Sequence, residues 1–595
     1  MPSNPSDSPL ILYGSETGTA RDCAENFVET LRLCNLHPRL FSFDDFVFDD
    51  LSSEKVILFV VATSGQGQMP SNMRKGWRQM LSKNLPTNFF ANTHFAIAAL
   101  GDSSYVEYNF AGKKLYRRIL SLCGKEIIKL ALCDDQHPNG MDEGFENFKR
   151  DCIKELCQMK DIFPSIEPLD ENKQLPPKYV IRYLDEINDG EIEEMEMNEN
   201  KIISGSERDF VKMRVMKNER VTHIDHFQDT RLITFENLTE DYNPGDVAQI
   251  QPENFEDIIQ MVLDALNISD DELDRPFHLE KSDSYVLLPP KYILTYPTTL
   301  RICLKKLFDI NSIPTRAFFQ SLSRISTNEM EKERLKELGN YNSFDDFIDY
   351  VRLPRRSIAE VLRDFPSTSK EIPLERLFDI FPCIRPRSFS IASSRAMHPQ
   401  SLQILVARVE YNRKNMRTKR IGLCSNFMAK LSEGDEVIIR IQEGTMDFER
   451  PGLTKVCICT GTGIAPFRSL IAESHSKQDS DPIVLFFGCR GKTKDFYFNE
   501  EWPNFANCIV QTAFSRDQDK KVYVHHVMQD NIHLLGRLIK QNRVAFYVAG
   551  SSGQMPKDVR AALKSIIEAS GIAEDGKQFV SEMELKRLLQ FETWF

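Results

Sequence analysis

The stretch LILYGSETGTA, residues 10–20, sets an apolar run against a turn of glycines and hydroxyls and then opens a helix. The alternation continues to about residue 155. VILFVVATSG at 56–65, FAIAALGDSS at 95–104 and IIKLALCDD at 127–135 are continuous apolar runs, each followed by a helical stretch. Strands apolar on both faces are covered on both faces, so the pattern predicts a doubly wound parallel sheet with ligands beyond its carboxyl ends. The first such end, Ser15, Glu16, Thr17, Gly18, Thr19 and Ala20, supplies hydroxyls and the amides of a helix start: a phosphate cradle without lysine. A nucleoside triphosphate loop would close on Gly-Lys-Ser/Thr, so a phosphomonoester is preferred. Taken alone, the loop reads equally well as a Ser/Thr-rich helix cap. Ala62, Thr63, Ser64 and Gly65, and then Leu100, Gly101, Asp102, Ser103, Ser104 and Tyr105 with Asn109, bring polar backbone and a stacking aromatic to the same edge.

A chain of 595 residues, 41% hydrophobic and 27% charged, implies three or four globular domains. The 75 basic and 87 acidic residues give a formal charge of −12, which disfavours a nucleic-acid partner and suits a basic one. MPSNPSDSPL has neither the basic start nor the apolar run of a targeting signal, and no stretch reaches about 18 apolar residues. The expectation is a cytoplasmic protein without a membrane anchor; no oligomeric state follows. Most of the 13 cysteines lie in apolar runs, as reduced thiols do. Cys457 and Cys459 alternate along a strand and point to opposite faces, so no metal site is expected.

DEINDGEIEEMEMNEN, residues 185–200, carries eight acids and no base and reads as a solvated linker. The expected organisation is a parallel-sheet domain at 1–160, an acidic linker at 161–208, an antiparallel barrel at 209–450 with a helical insert at about 255–375, and a second parallel sheet at 451–595. In RPRSFSIASS, residues 385–394, Arg387 and Phe389 face one side of a strand and Ser388 and Ser390 the other. An arginine fork suits a pyrophosphate and an aromatic suits a flat ring; a plain half-buried strand reads as well. TGTGIAP, residues 460–466, follows a strand and opens a helix, permitting close approach to a diphosphate at Thr462. Ser515, Arg516 and Lys521 add a hydroxyl and two cations after a later strand. FETWF is too aromatic for a free tail and is expected to be packed.

SETGTA, ATSGQG, LGDSSYVEYN and LCDDQH together resemble the FMN domain of the diflavin reductases, and the resemblance runs through nearly the whole chain. It implies a flavodoxin-like sheet, an antiparallel FAD barrel with a helical insert, and a ferredoxin-reductase-type nicotinamide domain. Residues 15–20 would take the FMN phosphate; 62–65, 100–105 with Asn109, and Asp134 or Asp135 would surround the ring. Arg387, Ser388, Phe389 and Ser390, the segment Gly422, Leu423, Cys424 and Ser425 opening a helix at Phe427, and Arg356 would hold FAD. Thr462, Ser515, Arg516, Lys521, Val522, Tyr523, Val524, His525 and Asp558 would grip NADPH, whose 2′-phosphate the two cations favour over NADH. Ser390 and Glu592 would assist hydride transfer and Trp594 would gate the FAD ring. Ser64, Ser388, His525, Ala549 and Ser551 depart from microsomal relatives.

The missing anchor, LCDDQH, RPRSFSIASS and ETWF most resemble the family's cytosolic branch, which implies an iron–sulfur protein of the anamorsin type as acceptor in cytosolic iron–sulfur assembly. A haem-protein acceptor and a weakly active flavin-containing scaffold remain alternatives. Asp44, Asp45, Asp49, Asp50, Asp142, Glu143 and Glu146 would form a docking face for a basic partner, or a plain solvated surface.

Overall fold

The computed structural model describes residues 8–65, 67–105, 107–170, 173–186, 209–283, 286–341, 343–412, 419–479 and 481–594. The chain divides into two compact units, Met1–Arg208 with Asn254–Arg385, and Asp209–Glu253 with Pro386–Phe595.

In the first unit β1 (Leu10–Gly14), β2 (Arg39–Ser42), β3 (Val56–Ala62), β4 (His94–Gly101), β5 (Lys125–Glu126) and β6 (Ala131–Asp134) make a parallel sheet in the order β2-β1-β3-β4-β5, with β6 also on β4. Alternation along each strand sorts its side chains between two cores. Ile11, Leu58 and Val60 meet Phe27 and Phe148 of the helices Thr19–Leu33 and Met141–Leu156. Leu12, Ile57 and Phe59 turn to the other face, against Met80, Leu115 and Ile119 of the helices Arg74–Met80 and Phe110–Ser121.

The segment expected as linker is structured where it is described. Strand β7 (Tyr179–Tyr183) precedes residues 187–208, which lie outside the described residues. The chain then supplies β8 (Val211–Arg220), β9 (Thr230–Glu236) and β10 (Val247–Gln251) to the second unit, and returns to the first with β11 (Phe277–Lys281), which pairs antiparallel with β7. Tyr179 and Ile181 are buried while Val180 and Arg182 point out. Two inward residues before a long acidic run are too few to announce a strand.

Most of residues 256–380 form short helices around a core that includes Leu304, Phe319, Leu362 and Phe378. This insert shares a unit with the first parallel sheet, to which it is tied by Arg32–Asp283 at 3.0 Å and by Arg352 donating to the Asn139 carbonyl at 2.6 Å.

In the second unit β12 (Arg387–Ser390), β13 (Ser401–Ala407) and, beyond the short pair β14 (Glu410–Tyr411) and β15 (Arg420–Ile421), β16 (Glu436–Gln442) complete an antiparallel sheet ordered β12-β10-β16-β8-β9-β13. A bridge between Ile391 and Ile404 brings its first edge to its last, closing a barrel over Val215, Phe235, Ile250 and Ile439. A parallel sheet follows: β17 (Thr454–Thr460), β18 (Ile483–Cys489), β19 (Cys508–Phe514), β20 (Val544–Ser551) and β21 (Leu589–Trp594), ordered β19-β18-β17-β20-β21. The aromatic terminus, expected as a packed tail, is therefore an edge strand, with Phe546 opposite Leu589 and Ser551 opposite Trp594. Among the described residues no helix is long and apolar enough to cross a membrane.

Helix Phe110–Ser121 lies so close to β4 that a Cβ on Gly112 would stand 2.3 Å from the Ala99 Cβ. Gly112→Ala gains about 1 kcal/mol of helix propensity but overpacks backbone against sheet by about 1–3 kcal/mol. The variant is expected to unfold at a lower temperature than the wild type, followed by circular dichroism during heating; an unchanged melting temperature would show that the contact is slack.

Candidate functional site

The turn after β1 is built by Ser15 and Gly18. Gly18 adopts φ 98° as the N-cap of helix Thr19–Leu33, a left-handed value that side chains resist. That geometry lets Ser15 Oγ accept the N–H of Gly18 at 3.0 Å and of Ala20 at 3.2 Å, while the Ser15 N–H donates to Asn72 Oδ1 at 2.8 Å. Glu16 accepts the Ser71 N–H at 2.8 Å. The loop is thus held from two sides by residues just ahead of helix Arg74–Met80, contacts that no local signal at 15–20 reveals.

The neighbouring strand ends are held by bonds of their own. Thr63 donates its N–H to the Leu100 carbonyl at 3.1 Å, and its hydroxyl accepts the Ala111 N–H at 3.3 Å. Ser64 and Gln68 exchange backbone hydrogen bonds. Asp134 accepts from Ser103 N–H at 2.8 Å and Gln136 N–H at 3.0 Å. Burial works to raise the Asp134 carboxyl, and these hydrogen bonds outweigh it and hold it below the usual range. Asp135 is raised, first by burial and then by Asp102. Tyr105 is 36% exposed on this rim. Asn109, wholly buried in the left-handed region at φ 57°, leaves its Oδ1 without a hydrogen-bond partner among the described residues. Hydroxyls and amides at one strand end, an exposed phenol ring and an orphaned amide oxygen fit a phosphorylated planar ring such as FMN.

In the second unit Arg387 and Ser388 are exposed on β12, while Phe389 and Ser390 are half-buried. Gln249 donates to Ser388 Oγ at 3.4 Å and accepts from Arg440 Nε at 3.0 Å. The helix expected to open at Phe427 begins earlier and spans Leu423–Lys430, with Gly422 as N-cap. Leu423, Cys424 and Met428 are buried on one face and pull the first turn onto the barrel. The Cys424 side chain is therefore core, and its thiol is pushed up to about 12 by burial. Ser425 Oγ accepts the Val409 N–H at 3.0 Å. A guanidinium beside an aromatic strand, with a helix start nearby in sequence, suits the diphosphate and ring of FAD.

Strand β21 brings Glu592 to the barrel. Ser390 Oγ donates to Glu592 Oε1 at 3.1 Å and Thr445 Oγ1 to Glu592 Oε2 at 3.3 Å. Burial raises the Glu592 carboxyl above its ordinary value, the two hydroxyls lower it, and Asp246 raises it further. Ser390 and Glu592, 202 positions apart, thus meet; Thr445 and Asp246 join them without any motif of their own. Trp594 packs at the margin of the core containing Ala392, Met446 and Phe467.

At the carboxyl edge of the second sheet Gly461 has φ 54°, and a Cβ there would meet nothing within 4 Å. The turn thus leaves open space beside backbone, as a diphosphate requires. Ser515 and Arg516 leave the end of β19, their N–H groups bonded to the carbonyls of Cys489 at 2.9 Å and Arg490 at 2.8 Å. Arg516, Lys521 and Tyr523 are exposed, whereas Val524 is buried in the core. Tyr523 stacks on His525, which lies 3.7 Å from Asp558. Exposed cations, an aromatic face and an open glycine turn fit a phosphorylated dinucleotide.

Arg356 belongs to the first unit, where its guanidinium is bound by Asp364 and by the Tyr350 carbonyl at 3.0 Å. Of the seven acids considered as a docking face, Asp142 lies 3.6 Å from Arg352, Glu146 pairs with Lys149 at 2.6 Å and Asp44 caps a helix through the Gly76 N–H at 2.7 Å. Asp45, Asp49 and Asp50 remain exposed.

Because the Glu592 carboxyl is raised in the folded state, protonation favours folding, and the ionised group costs stability at neutral pH. That cost fades as pH falls through the raised value. Glu592→Gln is expected to melt no lower than the wild type at pH 7, with its relative advantage shrinking towards pH 5, measured by thermal unfolding across a pH series. A variant that is less stable at pH 7 and gains on the wild type in acid would contradict this sign.

Residues 11–148 match the flavodoxin family, 206–427 the FAD binding domain and 457–561 the oxidoreductase NAD-binding domain. Over nearly its whole length the chain is similar to proteins named NADPH-dependent diflavin oxidoreductase 1. It is 37% identical to that of Danio rerio, over 98% of this chain and 99% of the other. The Xenopus laevis protein is 38% identical over 99% and 100%, and that of Schizosaccharomyces pombe 34% over 98% and 99%. With three nucleotide-binding folds in the same order and relatives matched end to end, the chain belongs to the NADPH-dependent diflavin oxidoreductase family, enzymes that use FAD, FMN and NADPH.

Proposed function

We propose that this enzyme draws electrons from NADPH and delivers them one at a time to an iron–sulfur protein of the anamorsin type in cytosolic iron–sulfur assembly. The observation that carries the enzymatic part is the partly buried Glu592 receiving the Ser390 hydroxyl at 3.1 Å. When bound, NADPH would supply hydride-donor chemistry, and the two flavins would supply the conversion from two-electron to one-electron transfer. The residues bind, orient and manage protons. Ser15, Thr17 and Thr19 with the adjoining amides take the FMN phosphate, and Tyr105 supplies a stacking face. Arg387 takes the FAD diphosphate, with Gly422 and the following amides beside it. Arg516 and Lys521 hold the 2′-phosphate and Tyr523 the adenine. Glu592 accepts from Ser390 and so fixes the direction of that hydroxyl, and the pair holds one exchangeable proton at Ser390 Oγ. Trp594 occupies the end of β21, where a ring can shield FAD until nicotinamide displaces it.

The acceptor rests on the likeness to the cytosolic branch, and the exposed Asp45, Asp49 and Asp50 supply negative charge for docking a basic partner. The alternative of a barely active scaffold is disfavoured because the Ser390–Glu592 contact is intact despite Ala549 and Ser551.

Ser390→Ala is expected to slow flavin reduction by NADPH about 100-fold in anaerobic stopped flow while FAD stays bound. Arg516→Ala is expected to raise the KM for NADPH about 10-fold and leave that for NADH unchanged. The acceptor is tested by presenting purified iron–sulfur and haem proteins to the reduced enzyme. Rapid reduction of the iron–sulfur protein is expected; faster reduction of a haem protein would replace the proposed acceptor, and no reduction of either would favour the scaffold.

A further inference from the structure

Residues 15–20 carry no cation and include Glu16, so the loop is anionic before any phosphate arrives. A phosphomonoester adds roughly two negative charges at neutral pH, and hydroxyls and amides alone leave that charge uncompensated. The helical insert brings an arginine to this loop. Arg385, the last residue of the first unit, donates from Nη1 to Thr19 Oγ1 at 2.6 Å and binds the Asp22 carboxylate through Nη2. Its side chain runs directly over the turn: a Cβ added to Gly18 would stand 3.3 Å from Arg385 Nε. Arg385 and Thr19 are 366 positions apart, so the contact exists only because the insert packs on the first sheet.

From this geometry we propose that Arg385 is a positioning residue for the FMN phosphate, completing from the insert a cradle that the flavodoxin-like sheet leaves without positive charge. By occupying a lone pair of Thr19 Oγ1, the guanidinium leaves that hydroxyl to donate its own proton into the cradle, and polarises it as a donor. Its charge offsets the phosphate at short range. Asp22 keeps the fork in place and balances the charge when no phosphate is present. Phosphate recognition and docking of the insert on the first sheet are therefore linked. FMN strengthens the docking by the same factor by which docking strengthens FMN. Riboflavin, which has the ring without the phosphate, lies outside this linkage.

The inference rests on the reading that residues 15–20 bind the phosphate, and the experiment separates the two. Full-length protein is stripped of flavin, and its affinities for FMN and for riboflavin are measured by flavin fluorescence quenching. The reading of the loop predicts that Ser15→Ala narrows the preference for FMN over riboflavin. The role of Arg385 predicts that Arg385→Gln weakens FMN about 10-fold and leaves riboflavin unchanged, with Arg385→Lys recovering part of the loss. If Ser15→Ala narrows the preference and Arg385→Gln does not, the loop reading stands and the inference falls. Equal weakening of both flavins by Arg385→Gln would reduce Arg385 to a structural tie and also overturn it. A preference untouched by Ser15→Ala would overturn the loop reading itself.

Discussion

The hydride-handling half of this enzyme depends on the stitching of the chain's last strand into the second unit. Main-chain pairing holds β21 beside β20. Side chains then fix its height against the barrel: Gln590 accepts the Asp447 N–H at 3.0 Å, and Arg587 donates to the Thr445 carbonyl at 3.0 Å. The barrel is in turn locked to the sheet through buried Arg468, which donates to the Ala392 carbonyl at 3.0 Å, and Ser469, which donates to the Ser393 carbonyl at 2.6 Å. Remove this stitching and Ser390 and Glu592 have no reason to meet.

The contact is purchased against stability. A carboxylate drawn out of water is costly unless it is hydrogen-bonded, and here two hydroxyls answer it while Asp246 opposes it. The result is a carboxyl whose proton affinity is raised, which suits the proton-handling role proposed for it. Val456 and Ile458 on β17 and Phe546 and Val548 on β20 are completely buried, so the strand beside β21 belongs to a tightly packed sheet.

Legibility in the sequence followed the range of the interactions. Both parallel sheets were readable because fully buried strands are continuous apolar runs, as in VILFVVA and IVLFFGC. The turns at residues 15–18 and at Gly461 were readable as turns because turn chemistry is local. Strand β7 was hidden because only Tyr179 and Ile181 turn inward before the acids begin. Strand β21 was hidden because an edge strand of half-buried residues lacks an apolar run, and the early start of helix Leu423–Lys430 because glycine is a quiet N-cap. Thr445, Asn72 and Arg352 act across long separations and carry no motif, and Arg385 opens the RPRSFSIASS run but contacts residues that run does not point to; only packing of the fold assigns them. Arg356 and Asp142 are each engaged by partners within the first unit, contacts that no local pattern announces.

The most direct test of the electron chain is an anaerobic titration of the purified protein with NADPH, followed by flavin absorbance, with extraction and identification of the flavins released. FAD and FMN in equal amounts, both bleached by NADPH and poorly by NADH, is the predicted result. A protein that lacks FMN, or whose flavins remain oxidised in excess NADPH, would contradict it.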